Sequence, residues 1–461
     1  MEDKDKIKEE SGGFSRRAFV GSVALAGALA ACTASENGAP AVHTRPFVEP
    51  GPDMAPDGPV LRAGLIGCGG RGTGAALNFL DSGPNLELAA MADLFEDRLE
   101  MSRQRIKKEK DVDVDDSMCF TGFDAYLKMM ETDVDVIIHA TPPHFRPEHF
   151  AAAVDARKHV FMEKPLAVDP AGYLSIIESA EKADALDLNV VTGTQFRHWK
   201  SYIETFNKVA EGAIGDIVSA RGYSLRGQLW FREPRPEWSE MEAMIRDWVN
   251  WNWLSGDHIV EQHIHGLDVM FWFIGEHPVK AVATGGRARR VTGDQYDFFA
   301  VDYETPSGIH VNTTCRQIDG CTNNISRWIM GTQGYTDCQH QIFDLDGNVI
   351  WKYNAPAGSD LNDGEDYSRD DKPAIVQEHT DLVTAIRTGN RVNWAPVTGE
   401  STLAAIMGRE SAYSGQEVIK DELLNSGMRL GPSGPTSEYE LGDTGIEAEV
   451  PVPGVQEKKS R

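Results

Sequence analysis

A short apolar run at residues 60–66 leads straight into Gly67-Cys68-Gly69-Gly70-Arg71-Gly72, and Ala75, Ala76, Leu77, Phe79 and Leu80 follow at helical spacing. Strand, glycine turn and helix in immediate succession restrict this stretch to the opening unit of a doubly wound α/β sheet. Each glycine of the G-x-G-x-x-G pattern has its own duty. Gly67 admits the tight turn, Gly69 lets a pyrophosphate approach bare backbone, and Gly72 lets the helix close on the strand. With Gly70 and Arg71 between them, this loop is the predicted phosphate cradle. A second strand over residues 86–92 ends at Asp93, where a carboxylate is placed to accept hydrogen bonds from ribose hydroxyls. A 2′-phosphate there would meet like charge, so the cradle predicts NAD(H) rather than NADP(H).

The βα rhythm continues with a helix at 124–130 and a β-branched strand at 134–140 that stops at Thr141-Pro142-Pro143-His144. A helix at 147–156 and a strand at 159–162 then lead to Glu163-Lys164-Pro165. Both motifs fall at the carboxyl ends of strands, the edge where such sheets place ligands. Thr141, Pro142, His144, Glu163 and Lys164 therefore join the glycine loop and Asp93 as predicted cofactor contacts.

Residues 255–273 invert the ordinary logic of a buried helix. His258, Glu261, His265 and Asp268 are spaced three, four and three apart, which sets four ionisable groups on one helical face among Ile259, Ile264, Leu267, Val269, Met270 and Phe271. Such groups need partners or a ligand. A satisfied core network, a metal site of His258, Glu261 and His265, and an acid/base site facing substrate are all consistent with that spacing.

Together the glycine loop, Thr141-Pro142-Pro143-His144, Glu163-Lys164-Pro165 and the 257–268 segment resemble the Gfo/Idh/MocA family, named for glucose-fructose oxidoreductase, inositol dehydrogenase and rhizopine catabolism. The resemblance spans roughly residues 60–420. It implies an N-terminal Rossmann domain with a parallel sheet, and a C-terminal α+β domain with a large, open, mainly antiparallel sheet that commonly forms the subunit interface of a homo-oligomer. It places Lys164 near the nicotinamide and the reacting hydroxyl. It favours the acid/base reading of the inverted face, with His265 as acid/base, Glu261 as its orienting carboxylate and no metal. The family commonly has Asp-x-x-x-His at that place; Glu261 is one methylene longer, which bears on substrate geometry. A Gly-x-x-x-Arg element beside the family's substrate cleft maps onto Gly193 and Arg197, with His198 and Tyr202 nearby. His258 and Trp253 complete the predicted substrate contacts, tryptophans being suited either to sugar faces or to core packing.

Composition narrows the partners. A net charge of −26 repels nucleic acid, and 41% hydrophobic with 25% charged residues fits a globule and not a polytopic membrane protein. Six cysteines without a C-x-x-C pair write neither a disulfide scaffold nor a zinc knuckle. Arg16 and Arg17 before an apolar run at 18–31, which stops at Leu29-Ala30-Ala31-Cys32, resemble a twin-arginine export signal with a lipobox. The expected organisation is a signal at 1–32, a tether at 33–59, a Rossmann domain at 60–190, a substrate and oligomerisation domain at 191–425 and a loose tail at 431–461. The expected function is a periplasmic or membrane-anchored, Cys32-lipidated oxidoreductase with tightly bound NAD(H). It would act on a secondary hydroxyl or keto group of a sugar or polyol. A redox-neutral NAD-dependent glycosidase is the alternative, with a non-catalytic sugar-binding lipoprotein behind it.

Overall fold

A computed structural model describes residues 47–354 and 372–454. The twin-arginine segment, Cys32 and residues 33–46 of the tether lie outside the described residues.

The first half alternates as its apolar runs dictate. β1 (Leu61–Ile66), α1 (Gly70–Asp81), β2 (Leu86–Asp93), α2 (Glu96–Lys110), β3 (Cys119–Thr121), α3 (Ala125–Met130), β4 (Val136–His139), α4 (Arg146–Asp155), β5 (His159–Met162), α5 (Pro170–Ala185) and β6 (Val190–Thr192) follow in sequence. The strands are parallel in the order β3-β2-β1-β4-β5-β6, which puts the topological switch between β1 and β4. β4 is buried at all four positions because helices cover both faces.

Beyond α6 (Lys200–Ala210), β7 (Ile217–Arg226) precedes α7 (Glu240–Arg246), α8 (Asn252–Ser255), α9 (Asp257–Glu261) and α10 (Ile264–Ile274). Then come β8 (Lys280–Gly286), β9 (Phe298–Glu304), β10 (His310–Gln317), β11 (Asn324–Gly331), β12 (Gly334–Thr336), β13 (Gln341–Asp344) and β14 (Val349–Lys352). After α11 (Lys372–Thr388) and α12 (Ala395–Ser414), the short β15 (Val418–Ile419) and α13 (Lys420–Leu424) follow. The nine-stranded second sheet runs β14-β13-β12-β11-β7-β10-β9-β8-β15 and is antiparallel except where β7 meets β10. β7 escapes sequence reading because its inner face is filled by small residues. A Cβ on Gly222 would lie 2.8 Å from Met270 Cε of α10, so close packing of the helix replaces large apolar side chains there.

Four expectations need correction. The stretch 255–273 is not one helix: Gly256 at φ +81° and Asp257 at φ +71° separate α8 from α9, and His263 N–H bonding back to His258 O at 3.0 Å closes α9 before α10 begins. The tether does not stay free as far as residue 59, since Val48 and Asn207 exchange backbone and side-chain hydrogen bonds at 2.9 and 2.8 Å and Ala55 N–H reaches Ser82 O at 2.9 Å. The range 191–425 does not belong wholly to the second domain, because Val392 and Trp394 pair with Val190 of β6, while Leu382 and Val383 of α11 join the core of the Rossmann sheet.

The tail is also more than loose chain. Residues 430–454 bind both domains: Leu430 N–H donates to Asp169 and Thr436 N–H to Glu148, each at 2.8 Å, while Thr444 N–H donates to Glu240 at 2.7 Å and the Tyr296 hydroxyl to Pro451 O at 2.8 Å. Tyr439 and Ile446 pack into a cluster with Phe145, Met241, Met244 and Trp253. Such a strap has no periodicity of its own, because its stability comes from contacts with other elements. Tyr439→Ala should cost about 1–3 kcal/mol, read as a lower urea midpoint at unchanged slope.

Candidate active site

A cavity of about 480 Å³ opens at the carboxyl ends of the Rossmann strands, lined by Gly67, Gly69, Gly70, Arg71, Gly72, Asp93, Thr141 and Pro142 among others. The glycines take up the division of labour that the spacing suggests. Gly67 has φ +95°, and a Cβ on it would sit 2.7 Å from the Ala140 carbonyl carbon. A Cβ on Gly72 would lie 1.8 Å from Gly67 O, so only glycine lets α1 approach β1. Around Gly69 and Gly70 a Cβ would meet nothing within 4 Å, which leaves bare backbone facing open space at a helix start, a fitting cradle for a pyrophosphate. Asp93 accepts hydrogen bonds from Cys68 N–H at 2.6 Å and Phe95 N–H at 2.9 Å, which fixes its carboxylate at the cavity wall. Burial raises its pKa to about 6 despite these two bonds and the nearby Arg98.

Beside this cavity Lys164 links the two domains. Its Nζ donates to Glu261 Oε1 at 3.0 Å and to the Glu261 carbonyl, and both side chains are nearly buried. Burial alone would push the Glu261 carboxyl up, but Lys164, the Gln262 amide and Arg146 hold it below the usual range. Arg146 in turn donates to the carbonyls of Thr141, Glu163 and Pro165, tying the two ligand-edge motifs together. Glu163 accepts from Arg71 Nε at 2.5 Å, and a Cβ on Gly193 would lie 2.5 Å from Glu163 Oε2, so Gly193 makes room for that carboxylate. His265 is depressed well below the ordinary imidazole value by burial and then by Lys164, Arg327, Arg226 and Arg71. It is a neutral imidazole, and its Nδ1 has no hydrogen-bond partner among the described residues.

Several predicted site residues are not brought to this place. Arg197 is a structural cation and not a substrate contact: its guanidinium forks onto Asp268 at 2.8 and 3.0 Å, deep in the interior between Trp272 and Trp394. Asp268, which also accepts from Ser401, is thereby taken from the inverted face. His198 is buried against Asp381, and His258 pairs with Asp257 at 2.9 Å beneath Phe299. His144 lines no part of the cofactor cavity; it bonds the Tyr439 hydroxyl at 3.2 Å and abuts Trp253, itself only 2% exposed in the cluster under the tail. Tyr202 is buried, its hydroxyl accepting from Arg327 Nη1 at 2.5 Å and donating to Gln339 at 3.3 Å. No group of three His, Cys, Asp or Glu is arranged for a metal among the described residues.

Sequence reasoning missed one wall of this cavity. Trp230, Arg232, Ile245, Arg246 and Trp248, all from the second domain, close one wall of the cavity. Arg246 fastens that wall, with its guanidinium 3.8 Å over Phe95 and forked onto Asp97 at 3.0 Å in both contacts. The interleaving of Trp230, Arg232, Arg235 and Trp238 is the signal that would have flagged it.

These features can be set beside known proteins. Residues 61–190 match the family model described as the oxidoreductase family, NAD-binding Rossmann fold, and residues 204–336 match the GFO/IDH/MocA C-terminal domain. The chain belongs to the Gfo/Idh/MocA family. It is 25% identical over 252 residues to the inositol 2-dehydrogenase of Salmonella typhimurium, covering 54% of this chain and 66% of that protein. It is also 25% identical over 219 residues to a glycosyl hydrolase family 109 protein of Streptomyces coelicolor, covering 45% of this chain and 44% of that one. These alignments span less than two thirds of the relatives' own length. The scyllo-inositol dehydrogenase of Lactobacillus casei, solved with NAD(H) and scyllo-inositol, shares the fold at a TM-score of 0.58 and 21% identity, over 78% of this chain and 99% of that one.

The Gfo/Idh/MocA Rossmann domain binds NAD, and Asp93 sets a pH dependence for it. The pKa of Asp93 in the folded apoprotein, about 6, lies above its ordinary 3.8. Its contribution to apoprotein stability is therefore present at low pH and lost as pH rises through 6. Ribose hydroxyls bind the ionised form, so cofactor affinity has the opposite slope. Calorimetry on nucleotide-stripped protein should give a constant Kd between pH 7 and 8 and roughly tenfold weaker binding at pH 5, and Asp93→Asn should flatten the profile.

Proposed function

We propose that this protein is an NAD(H)-dependent oxidoreductase acting on a secondary hydroxyl or keto group of a sugar or polyol, with its cofactor held tightly. The observation that carries the reading is the buried Lys164–Glu261 pair beside a neutral His265 at the cofactor edge of the Rossmann sheet. When bound, the nicotinamide supplies the hydride acceptor or donor. Neutral His265, whose Nδ1 is buried, would receive the hydroxyl proton on its other ring nitrogen, Nε2. Lys164, oriented by Glu261, donates to the substrate oxygen and stabilises the negative charge that develops there. Gly67, Gly69, Gly72 and Asp93 would hold the dinucleotide, and the wall fastened by Arg246 would exclude water and slow its release.

The kinship with an inositol 2-dehydrogenase supports a polyol or sugar substrate. The kinship with a glycosyl hydrolase family 109 protein keeps a redox-neutral glycosidase as the second reading. We further propose export by the twin-arginine route with lipidation at Cys32, on the sequence of residues 15–32 alone. A homo-oligomer is supported by exposed Val282, Phe298 and Ile325 on strands of the large sheet.

Single-turnover mixing of NAD-loaded protein with sugars, polyols and glycosides, followed by nicotinamide absorbance, tests the reaction. His265→Asn should fold and keep its nucleotide but slow nicotinamide reduction roughly 10²–10⁴-fold, and Lys164→Ala should behave alike. Wild-type speed in a folded, loaded His265→Asn would remove the assignment. Glycoside cleavage without net reduced nicotinamide would promote the second reading. For the anchor, Cys32→Ser should move the protein from the membrane to the soluble periplasmic fraction.

A further inference from the structure

Two arginines on the second sheet stand next to His265. In the register of β11 against β7, Arg327 sits opposite Gly222, four residues from Arg226, so both arginines point to the sheet face that meets α10. Arg226 Nη1 donates to Gln262 Oε1 at 3.2 Å, beside Glu261. The Arg327 guanidinium lies 4.5 Å over Phe196, whose ring in turn meets the His265 ring edge-on at 5.6 Å. A Cβ on Gly266, the neighbour of His265, would come within 3.8 Å of Arg327 Nε.

The charge balance around them is uneven. Lys164 is matched by Glu261, Arg71 by Glu163 and Glu378, and Arg197 by Asp268. Arg327 is only 8% exposed, yet among the described residues no carboxylate pairs with it and its Nε has no hydrogen-bond partner. A buried guanidinium without a counterion is costly. Arg146, also buried without an ion-pair partner among the described residues, is satisfied by three carbonyls, whereas Arg327 keeps an unpartnered Nε, which leaves a place for a ligand's anion.

We propose that the substrate of this site is an acid sugar of the uronate or aldonate class, whose carboxylate is received by Arg327 with Arg226 alongside. Arg327 Nη1 donates to the Tyr202 hydroxyl and the guanidinium lies over the Phe196 and Tyr202 rings, but its charge has no carboxylate; a carboxylate matches a guanidinium in two parallel hydrogen bonds, and a neutral sugar would leave that charge unmatched. Burial and then the surrounding cations hold the His265 imidazole down; a bound carboxylate offsets the cations and so raises the proton affinity of the group that must accept the hydroxyl proton. The inference deepens the sugar oxidoreductase reading, but binding tests it without turnover.

The experiment titrates NAD-loaded protein with D-glucuronate, D-galacturonate and D-gluconate, with the methyl esters of the two uronates and with D-glucose, by calorimetry and by nicotinamide absorbance. At least one acid should bind roughly tenfold or more tightly than its neutral counterpart. Arg327→Gln should collapse that ratio, and Arg327→Lys should restore it only in part because an ammonium cannot fork. If Arg327→Gln does not fold, Arg226→Gln should reduce the ratio and raised salt should weaken acid binding alone. Acids that bind no better than their neutral counterparts, or a preference that survives both arginine substitutions, would overturn the inference. Arginine-dependent acid binding without nicotinamide reduction would keep it and count against the oxidoreductase reading. Reduction by neutral sugars with inert acids would do the reverse.

Discussion

The ion pair between Lys164 and Glu261 is the contact on which the rest of the site depends. Its members are 97 residues apart, one at the carboxyl end of a Rossmann strand and the other at the end of α9 in the second domain. Buried ion pairs add little net stability because desolvation opposes attraction, so the effect of this one is to specify geometry. The ammonium is held where cofactor edge and substrate cleft meet, and Arg146 locks the backbone beneath it through three carbonyls. Burial first, and then the cations of this seam, hold the His265 imidazole well below its ordinary value. Each positive group that anchors the seam makes a protonated His265 less favourable.

The Rossmann half was legible because its signals are local. A glycine loop, an acidic residue ending the next strand and prolines ending a third each report a backbone requirement that no distant residue alters. Asp93, Gly67 and Gly72 consequently stand where spacing puts them. The inverted face was only half legible. Spacing identified four ionisable groups, but helical periodicity presumes an unbroken helix, and the break between α9 and α10, where His263 N–H bonds back to His258 O, divides Glu261 from His265. Glu261 then turns toward Lys164 and Asp268 toward Arg197, partners 97 and 71 residues away that no local pattern names. The same blindness made Arg197 look like a substrate ligand.

The tail and the cavity wall were missed for a related reason. Residues 430–454 and the Trp230–Trp248 region carry little periodicity because they are laid over elements that are already folded. Their fixing points are single side chains: Glu148, Asp169 and Glu240 for the tail, Asp97 and Phe95 for the wall. A composition rich in proline, glycine and acid describes a free tether and a pinned strap equally well. What distinguishes them is whether a matching set of acceptors waits on the surface.

The edge of the Rossmann sheet has a consequence for biosynthesis. β6 is bordered by residues 392–394, and the α1 side is covered by α11, both made long after the sheet itself. A ribosome that has released only the first two hundred residues has therefore exposed a nucleotide domain with an open flank. That flank closes only once nearly the entire polypeptide has emerged. Completion of this edge therefore depends on pairings about two hundred residues apart in sequence, the kind of long-range contact that slows folding. A protein built this way would lean on chaperone shelter during synthesis, and its nucleotide domain would not be expected to survive excision as a free module.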